Sequence, residues 1–522
     1  MKKLKLIILC GFVLGTISSC TKNFQETNTN PNRTIVGMIQ ASNMFEPILY
    51  NSANQWLERT WYYNNELIQF TAHTGGITRR EHLYFLEESR DWAGFWNHYA
   101  TYGKNVDHMH ELAVEEGDKS LEAIALTFKV LFFSNMTDMF GSVPYEEAFS
   151  GRKLGGTLTP KFNSQKEIYQ FMFADLEAAN TIYATNPTLQ KPSMDGMYGG
   201  NMALWRKFNN SLYLRLLCRV SGRTEMNVGT KMTEILGNST KYPIFTSNSD
   251  NATVKFSGVD PYLSNFGTTT ESGFTSSGRK LTTQLIKMTV YTDQNGSQSY
   301  VDPRLPIIGK KNPTVAVNPF NIWIGTKSGC TDQERGTVDV GTSWLNYLVF
   351  CRKDAPATYM DYAEVKFIFA EAALKGFISG GTAAAKTYYE AGVRASMEKW
   401  SAQGAYCVPP VSITTANVDT YLASPLGSWD LATNKAEFLG NQKYLALFWV
   451  GMEAYHEYRR TGYPVLTIGA GTVYNDNILP TRFGYPNTTM STNAENAKAA
   501  LLDMGGANDM KTPVWWSKQA IK

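Results

Sequence analysis

Apolar residues recur in this chain at the three-and-four spacing of an amphipathic helix, and that rhythm commits most of it to packed helices. It runs through Phe45, Leu49, Ala53 and Trp56, and over a longer stretch through Trp92, Phe95, Tyr99, Tyr102, Val106 and Met109. The same spacing follows in Leu121, Ile124, Ala125 and Phe128, in Ile168, Phe171, Ala179 and Ile182, and in Trp205, Phe208, Leu212 and Leu216. Five helices are therefore predicted before residue 223. The rhythm returns in Tyr362, Val365, Phe369, Ala372 and Ala373, in Ala385, Tyr388, Gly392 and Ala395, and in Leu445, Phe448, Met452 and Tyr455, for a total of about eight. Small residues on these stripes, such as Ala372, Gly392 and Gly451, let neighbouring helices approach closely, as stacked helical hairpins require. The expected fold is mostly α, an α-solenoid core, although the Trp and Leu-Gly offsets of a tetratricopeptide repeat are not visible.

Between these runs, residues 223–355 are rich in Gly, Ser, Thr, Asn and Pro. They carry short β-prone pieces such as Ala252-Thr253-Val254-Lys255-Phe256 and Asn321-Ile322-Trp323-Ile324. A long, loop-rich insertion with short strands is predicted there, between helical parts at 41–222 and 356–465, with a C-terminal segment at 466–522.

The first residues read as a targeting signal. Lys2, Lys3 and Lys5 precede the apolar run Leu6 to Leu14, and Ile17-Ser18-Ser19-Cys20 gives the small-residue cleavage pattern of a bacterial lipoprotein. Residues 1–19 are expected to be removed, Cys20 to carry lipid, and the polar stretch 20–40 to act as a tether outside the cytoplasm. The apolar run is too short to span a bilayer, which takes about 20 residues, and no later segment is expected to do so.

Charge and motif content narrow the function. A formal net charge of +3 over 522 residues, without a basic cluster, gives no nucleic-acid footprint. Cys218, Cys330, Cys351 and Cys407 form no C-x-x-C pair; Cys330 and Cys351 could bridge in an oxidising compartment, whereas Cys218 reads as a small buried residue in a helix. His108 and His110 are two apart and cannot chelate as an i, i+4 pair, and surface positions are expected for the histidines. His73 and His82 fall in what reads as loop. Glu87-Glu88, Glu115-Glu116 and Glu146-Glu147 invite comparison with a glycosidase pair, but adjacent acids at helix ends are ordinarily solvated. Asn248-Ser249-Asp250-Asn251 is oxygen-rich enough for calcium, although such loops are usually only solvated. No phosphate loop, G-x-S-x-G or H-E-x-x-H is present. No enzyme activity and no cofactor are expected.

Ordered motifs then identify a family. Asn28-Thr29-Asn30-Pro31-Asn32 is followed by Asp138-Met139-Phe140-Gly141-Ser142-Val143-Pro144-Tyr145, a D-x-x-G-x-V-P turn, and by Trp205-Arg206-Lys207-Phe208-Asn209-Asn210-Ser211-Leu212. Asp302-Pro303-Arg304-Leu305-Pro306, Tyr362-Ala363-Glu364-Val365, Glu457-Tyr458-Arg459-Arg460-Thr461-Gly462, Leu479-Pro480-Thr481-Arg482 and Trp515-Trp516 come after them in order. Over nearly the whole mature chain this resembles the SusD/RagB family of nutrient-binding outer-membrane lipoproteins, in its SusD-like branch. Most of these pieces read as scaffold, with Glu364 and Arg459 expected to hold helices through ion pairs.

The resemblance implies a tetratricopeptide-like scaffold acting as a lid on a SusC/RagA-type TonB-dependent transporter, to which it delivers a captured nutrient. An oligosaccharide is the leading ligand; a peptide, as for RagB, is the alternative, and a surface hydrolase a more distant one. Phe, Trp and Tyr make up 13% of the chain, and some of these rings are expected to serve as stacking platforms while others pack loops onto the helices. Trp323, Tyr262 and Phe266 in the insertion, with Tyr84 and Arg80 ahead of the Trp92 helix, are the candidate ligand contacts. Gly325 is read as letting a ligand approach the backbone beside Trp323.

Overall fold

The computed structural model describes residues 39–75, 80–275 and 279–521. Cys20 and the rest of the predicted leader and tether lie outside these residues, apart from its last two. Five long helices precede residue 223, where the stripes place them: α1 (Ala41–Arg59), α2 (Ala93–Glu116), α3 (Lys119–Phe140), α4 (Gln165–Tyr183) and α5 (Met202–Arg219). Beyond the insertion come α6 (Tyr362–Leu374), α7 (Gly381–Gly404), α8 (Lys435–Ala446), α9 (Glu453–Thr461) and, in the C-terminal segment, α10 (Ala494–Met504). Local signals set the ends. Gly117 closes α2 in the left-handed region and the next residue, Asp118, caps α3 by accepting from the backbone of Ser120 and Leu121, so two residues turn the chain into a hairpin. Ser164 and Glu167 form a reciprocal capping box at the start of α4.

The helices stack in sequence: α1 on α2, α2 on α3, α3 on α4, α4 on α5, α5 on α6, and α6 on both α7 and α8. Gly392 serves the close approach read from the sequence, since a Cβ there would lie 2.8 Å from the Phe367 ring. The single helix expected through Leu445 and Tyr455 is instead two, α8 and α9. Trp449 and Gly451 adopt positive φ between them, and Gly451 leaves no room for a side chain, its Cβ position being 2.2 Å from Trp56. Among the described residues α3 is long and apolar enough to cross a membrane by composition, contrary to the expectation that no later segment would be. It is the central helix of the core, buried on almost every side.

Buried ion pairs join the layers. Arg215 of α5 binds Glu364 of α6 through Nε at 2.6 Å and Nη2 at 2.5 Å, as read for Glu364. Arg459 does otherwise: it donates to the Thr481 carbonyl and lies over the rings of Tyr455 and Trp516. Asp138 of the D-x-x-G-x-V-P turn accepts from Tyr169 at 2.6 Å and from the Trp516 indole at 2.7 Å, and pairs with Arg219 at 3.2 Å. One carboxylate thus ties three helices to the C-terminus, which gives the motif its physical meaning.

The insertion is sewn into this scaffold by strands. A four-stranded antiparallel sheet runs in the order β1 (Thr71–His73), β3 (Arg279–Leu281), β7 (Trp344–Leu345) and β6 (Gly309–Lys310). Its first strand comes from the helical part and the rest from the insertion. β2 (Ala252–Val254) pairs with β8 (Ala357–Met360), which leads into α6, and β4 (Val290–Thr292) forms a hairpin with β5 (Gln298–Val301). Cys330 and Cys351 do not bridge; both are free and buried, as are Cys218 and Cys407. The surface expectation fails for half of the histidines: His73, His82 and His456 are buried, whereas His98, His108 and His110 are partly exposed. Asp250 of the oxygen-rich stretch is occupied by Lys207 at 2.9 Å and by the hydroxyl and amide of Thr246.

Candidate ligand-binding face

The four-stranded sheet presents a ring beside an amine. In the antiparallel register Lys280 stands opposite Ala72 on one side and Trp344 on the other, and Trp344 in turn stands opposite Lys310. Side chains of directly opposed residues share a sheet face. Trp344 is half-buried, and the Lys280 amine lies 4.9 Å from the centroid of its ring. Burial pushes the Lys280 amine below its usual range, while the Asp339 carboxylate opposes that shift. Asp339 is itself held by two hydroxyls, accepting from Thr74 and, at 2.7 Å, from Thr326. An indole, a carboxylate and the Lys280 amine therefore converge from segments far apart in the chain, with Lys310 at the next register position. The loop beside them is apolar at its rim. The Val317 carbonyl fills the space where Gly341 would carry a Cβ, which sets exposed Val317 beside exposed Val340, and Phe320 in the same loop is 82% exposed.

A second aromatic and cation group borders the insertion. Arg80 donates to the Tyr474 hydroxyl at 2.8 Å, and the Phe85 ring lies 4.7 Å from that of Tyr474, which is exposed. The loop next to it is anchored by His82, whose Nδ1 accepts from the Gly329 amide at 3.2 Å, and by the Gly471 amide donating to the Gly329 carbonyl at 2.8 Å. Burial pushes His82 down to about 4, so it is neutral and can accept that bond.

The residues expected to touch ligand separate into two groups. Arg80 is partly exposed, and Tyr262 lies against α1 with its ring 4.5 Å from that of Tyr50. Trp323, Phe266 and Tyr84 are core residues, exposed by 6%, 4% and 1%. Phe266 packs on Trp61 at 4.9 Å and on Phe274, and Trp323 packs over Gly309 with its backbone held in both directions by the Gln298 side chain. Gly325 leaves room for the protein's own chain, not for a ligand, because a Cβ there would lie 2.4 Å from the Thr283 amide. Trp344, Lys280, Asp339, Thr74 and Thr326 were not singled out in the sequence. Two-residue and three-residue strands carry no readable alternation, and the register that joins them spans more than 200 positions.

The scaffold and its ordered motifs match a family model described as starch-binding and associating with the outer membrane, over residues 31–486. The chain belongs to the SusD-like family. Solved SusD-like structures superpose on nearly all of it. A SusD homolog from Bacteroides fragilis, 25% identical, has a TM-score of 0.75 and is matched over 92% of this chain and 100% of its own. One from Parabacteroides distasonis, 21% identical, has a TM-score of 0.76, covering 92% of this chain and 98% of its own. A chitin-binding SusD homolog from Flavobacterium johnsoniae, 21% identical, has a TM-score of 0.70, covering 91% and 98%. No curated protein shows a significant match to the sequence. SusD-like membership accounts for the mostly helical fold and associates the chain with the outer membrane.

Proposed function

We propose that this SusD-like chain is a lipid-anchored outer-membrane protein that captures an oligosaccharide on the Trp344 face and passes it to a SusC-type TonB-dependent transporter. The observation that carries the reading is the half-buried Trp344 ring with the Lys280 amine over it and Asp339 near that amine. An indole offers an apolar face to the C–H side of a sugar ring, and amines and a carboxylate at its edge bind the hydroxyls that fix orientation. The starch-binding description of the family supports a glycan, and the chitin-binding relative supports it at the level of class. Family membership supports partnership with a barrel, and Ile17-Ser18-Ser19-Cys20 supports the lipid anchor. Calorimetric titration with starch-derived and chitin-derived oligosaccharides tests the ligand class. Binding to one series that weakens on Trp344→Ala is the expected result, whereas binding of peptides with no response to either glycan series would move the chain to the RagB type. Extraction of the native membrane in mild detergent tests the partnership: repeated recovery of this protein without a barrel would remove it.

A further inference from the structure

Two leucines on one loop are turned to solvent. Leu154 is 107% exposed and Leu158 84%, both in the connection between α3 and α4. Isolated exposed leucines are ordinary, but this pair sits on a closed and pinned loop. The Lys153 amide donates to the Ser150 carbonyl at 2.8 Å and the Gly156 amide to the Lys153 carbonyl at 3.1 Å. A Cβ at Gly156 would lie 1.8 Å from the Ser150 carbonyl oxygen, so the chain folds back on itself with no room for a side chain there. Arg152 and Lys153 both bind Glu111, at 2.6 and 2.5 Å, and Arg152 also binds Asp107. The loop is thereby fixed to the C-terminal half of α2, with Leu154 open to solvent and Leu158 leaning on Gly151 of the same loop.

The same helix end receives the chain from the N-terminus. The Ala41 amide, at the start of α1, donates to the Glu116 side chain at 3.0 Å. Glu116 is the last residue of α2, five positions beyond Glu111, a distance of about 7–8 Å along a helix. The polypeptide entering at Ala41 and the leucine loop therefore both attach to the C-terminal half of α2, about 7–8 Å apart along its axis and on different sides of it. A lipid on a tether sets how far the body can stray from the bilayer but not which side faces it.

We propose that Leu154 and Leu158 dip into the lipid surface that holds the anchor, which makes the loop from Ser150 to Leu158 a second membrane contact that orients the protein. This rests on the lipid anchor at Cys20 proposed above. The occupant is lipid: two isolated leucines suit the fluid boundary between headgroups and acyl chains, and because Arg152 and Lys153 are already paired with Asp107 and Glu111, the contact is apolar and adds to the lipid carried by the chain that enters at Ala41. The lipidated full chain, reconstituted in vesicles of phosphatidylethanolamine and phosphatidylglycerol, provides the test. A nitroxide is placed at Leu154→Cys, at Leu158→Cys or at the control Leu431→Cys, whose leucine is 64% exposed; the native thiols are buried and leave the new one to react. Collisions with an aqueous nickel chelate should fall several-fold at 154 and 158 relative to 431, and collisions with dissolved oxygen should rise. Equal accessibility at all three sites in chain that floats with the vesicles overturns the loop contact and leaves the anchor standing. Chain that does not float refutes the anchor and the loop contact together. Protection at 154 that appears only when a barrel is present assigns the loop to a protein partner and overturns the lipid reading.

Discussion

Replacing two tryptophans of the same region separates packing from recognition. Trp323 and Trp344 both belong to the insertion, but Trp323 is 6% exposed and Trp344 is half-buried on the face of the sheet. Trp323→Ala leaves the Gln298 hydrogen bonds intact, because those use the Trp323 backbone. It removes the ring that packs over Gly309, and the hole cannot close without moving the backbone of β6. A cavity of this kind costs about 3–5 kcal/mol, a large part of the roughly 5–15 kcal/mol that holds an ordinary domain together. Trp344→Ala leaves no enclosed cavity and should cost far less stability, but it takes away the ring on which a sugar would stack. The loss of about 1–2 kcal/mol of contact weakens the dissociation constant roughly 5- to 30-fold. Chemical denaturation and calorimetric titration of both variants, at a temperature where each is folded, give the two readings side by side. A Trp323→Ala protein of normal stability that no longer binds glycan, or a Trp344→Ala protein that binds normally, would refute the assignment of these two rings.

Other outcomes follow from buried charge. Burial raises the carboxyl of Glu457, but Arg460 and Lys443 outweigh it and hold the group down to about 2; Glu371, beside the same cations, is also held well below its usual range. The contribution of both is therefore fully present above the unfolded range near 4.3 and is lost as pH falls below it, for Glu457 through about 2. Arg460→Met should flatten that acid limb and cost about 3–5 kcal/mol at neutral pH, read by denaturant titration across pH, because two buried carboxylates lose their main partner. His82 is depressed in its folded state, so its contribution is complete above the unfolded value near 6.5 and fades as pH drops through about 4. His82→Gln should remove up to about 3 kcal/mol of pH dependence from that window, and an unchanged slope would contradict the burial of the ring. Cys218, Cys330, Cys351 and Cys407 should resist a thiol reagent in the native protein and all react after unfolding without reductant. A shortfall of two thiols would reveal a disulfide.

The helical scaffold was legible because helix formation is local. Apolar stripes lie within a few residues of what they control, so the five helices before residue 223 could be placed from the sequence alone, while the Gly117-Asp118 turn and the Ser164 and Glu167 box that set their ends were equally local but went unread. The family was legible for a related reason, since its motifs keep their order along the chain even where their partners are distant. Tertiary contacts decided the rest. The stripe through Leu445 and Tyr455 continues in sequence, yet the chain turns into the left-handed region at Trp449 and Gly451, where Gly451 packs against the Trp56 ring with no room for a side chain. Trp323 and Trp344 look alike as aromatic residues in loop-rich sequence, and only the packing of β6 over one and the solvent beside the other gives them different roles. The candidate face exists because Thr74, Lys280, Asp339 and Trp344 are brought together by strand register across distant segments. Such pairing depends on the whole fold, because residues two or three to a strand carry too little pattern to specify their partners.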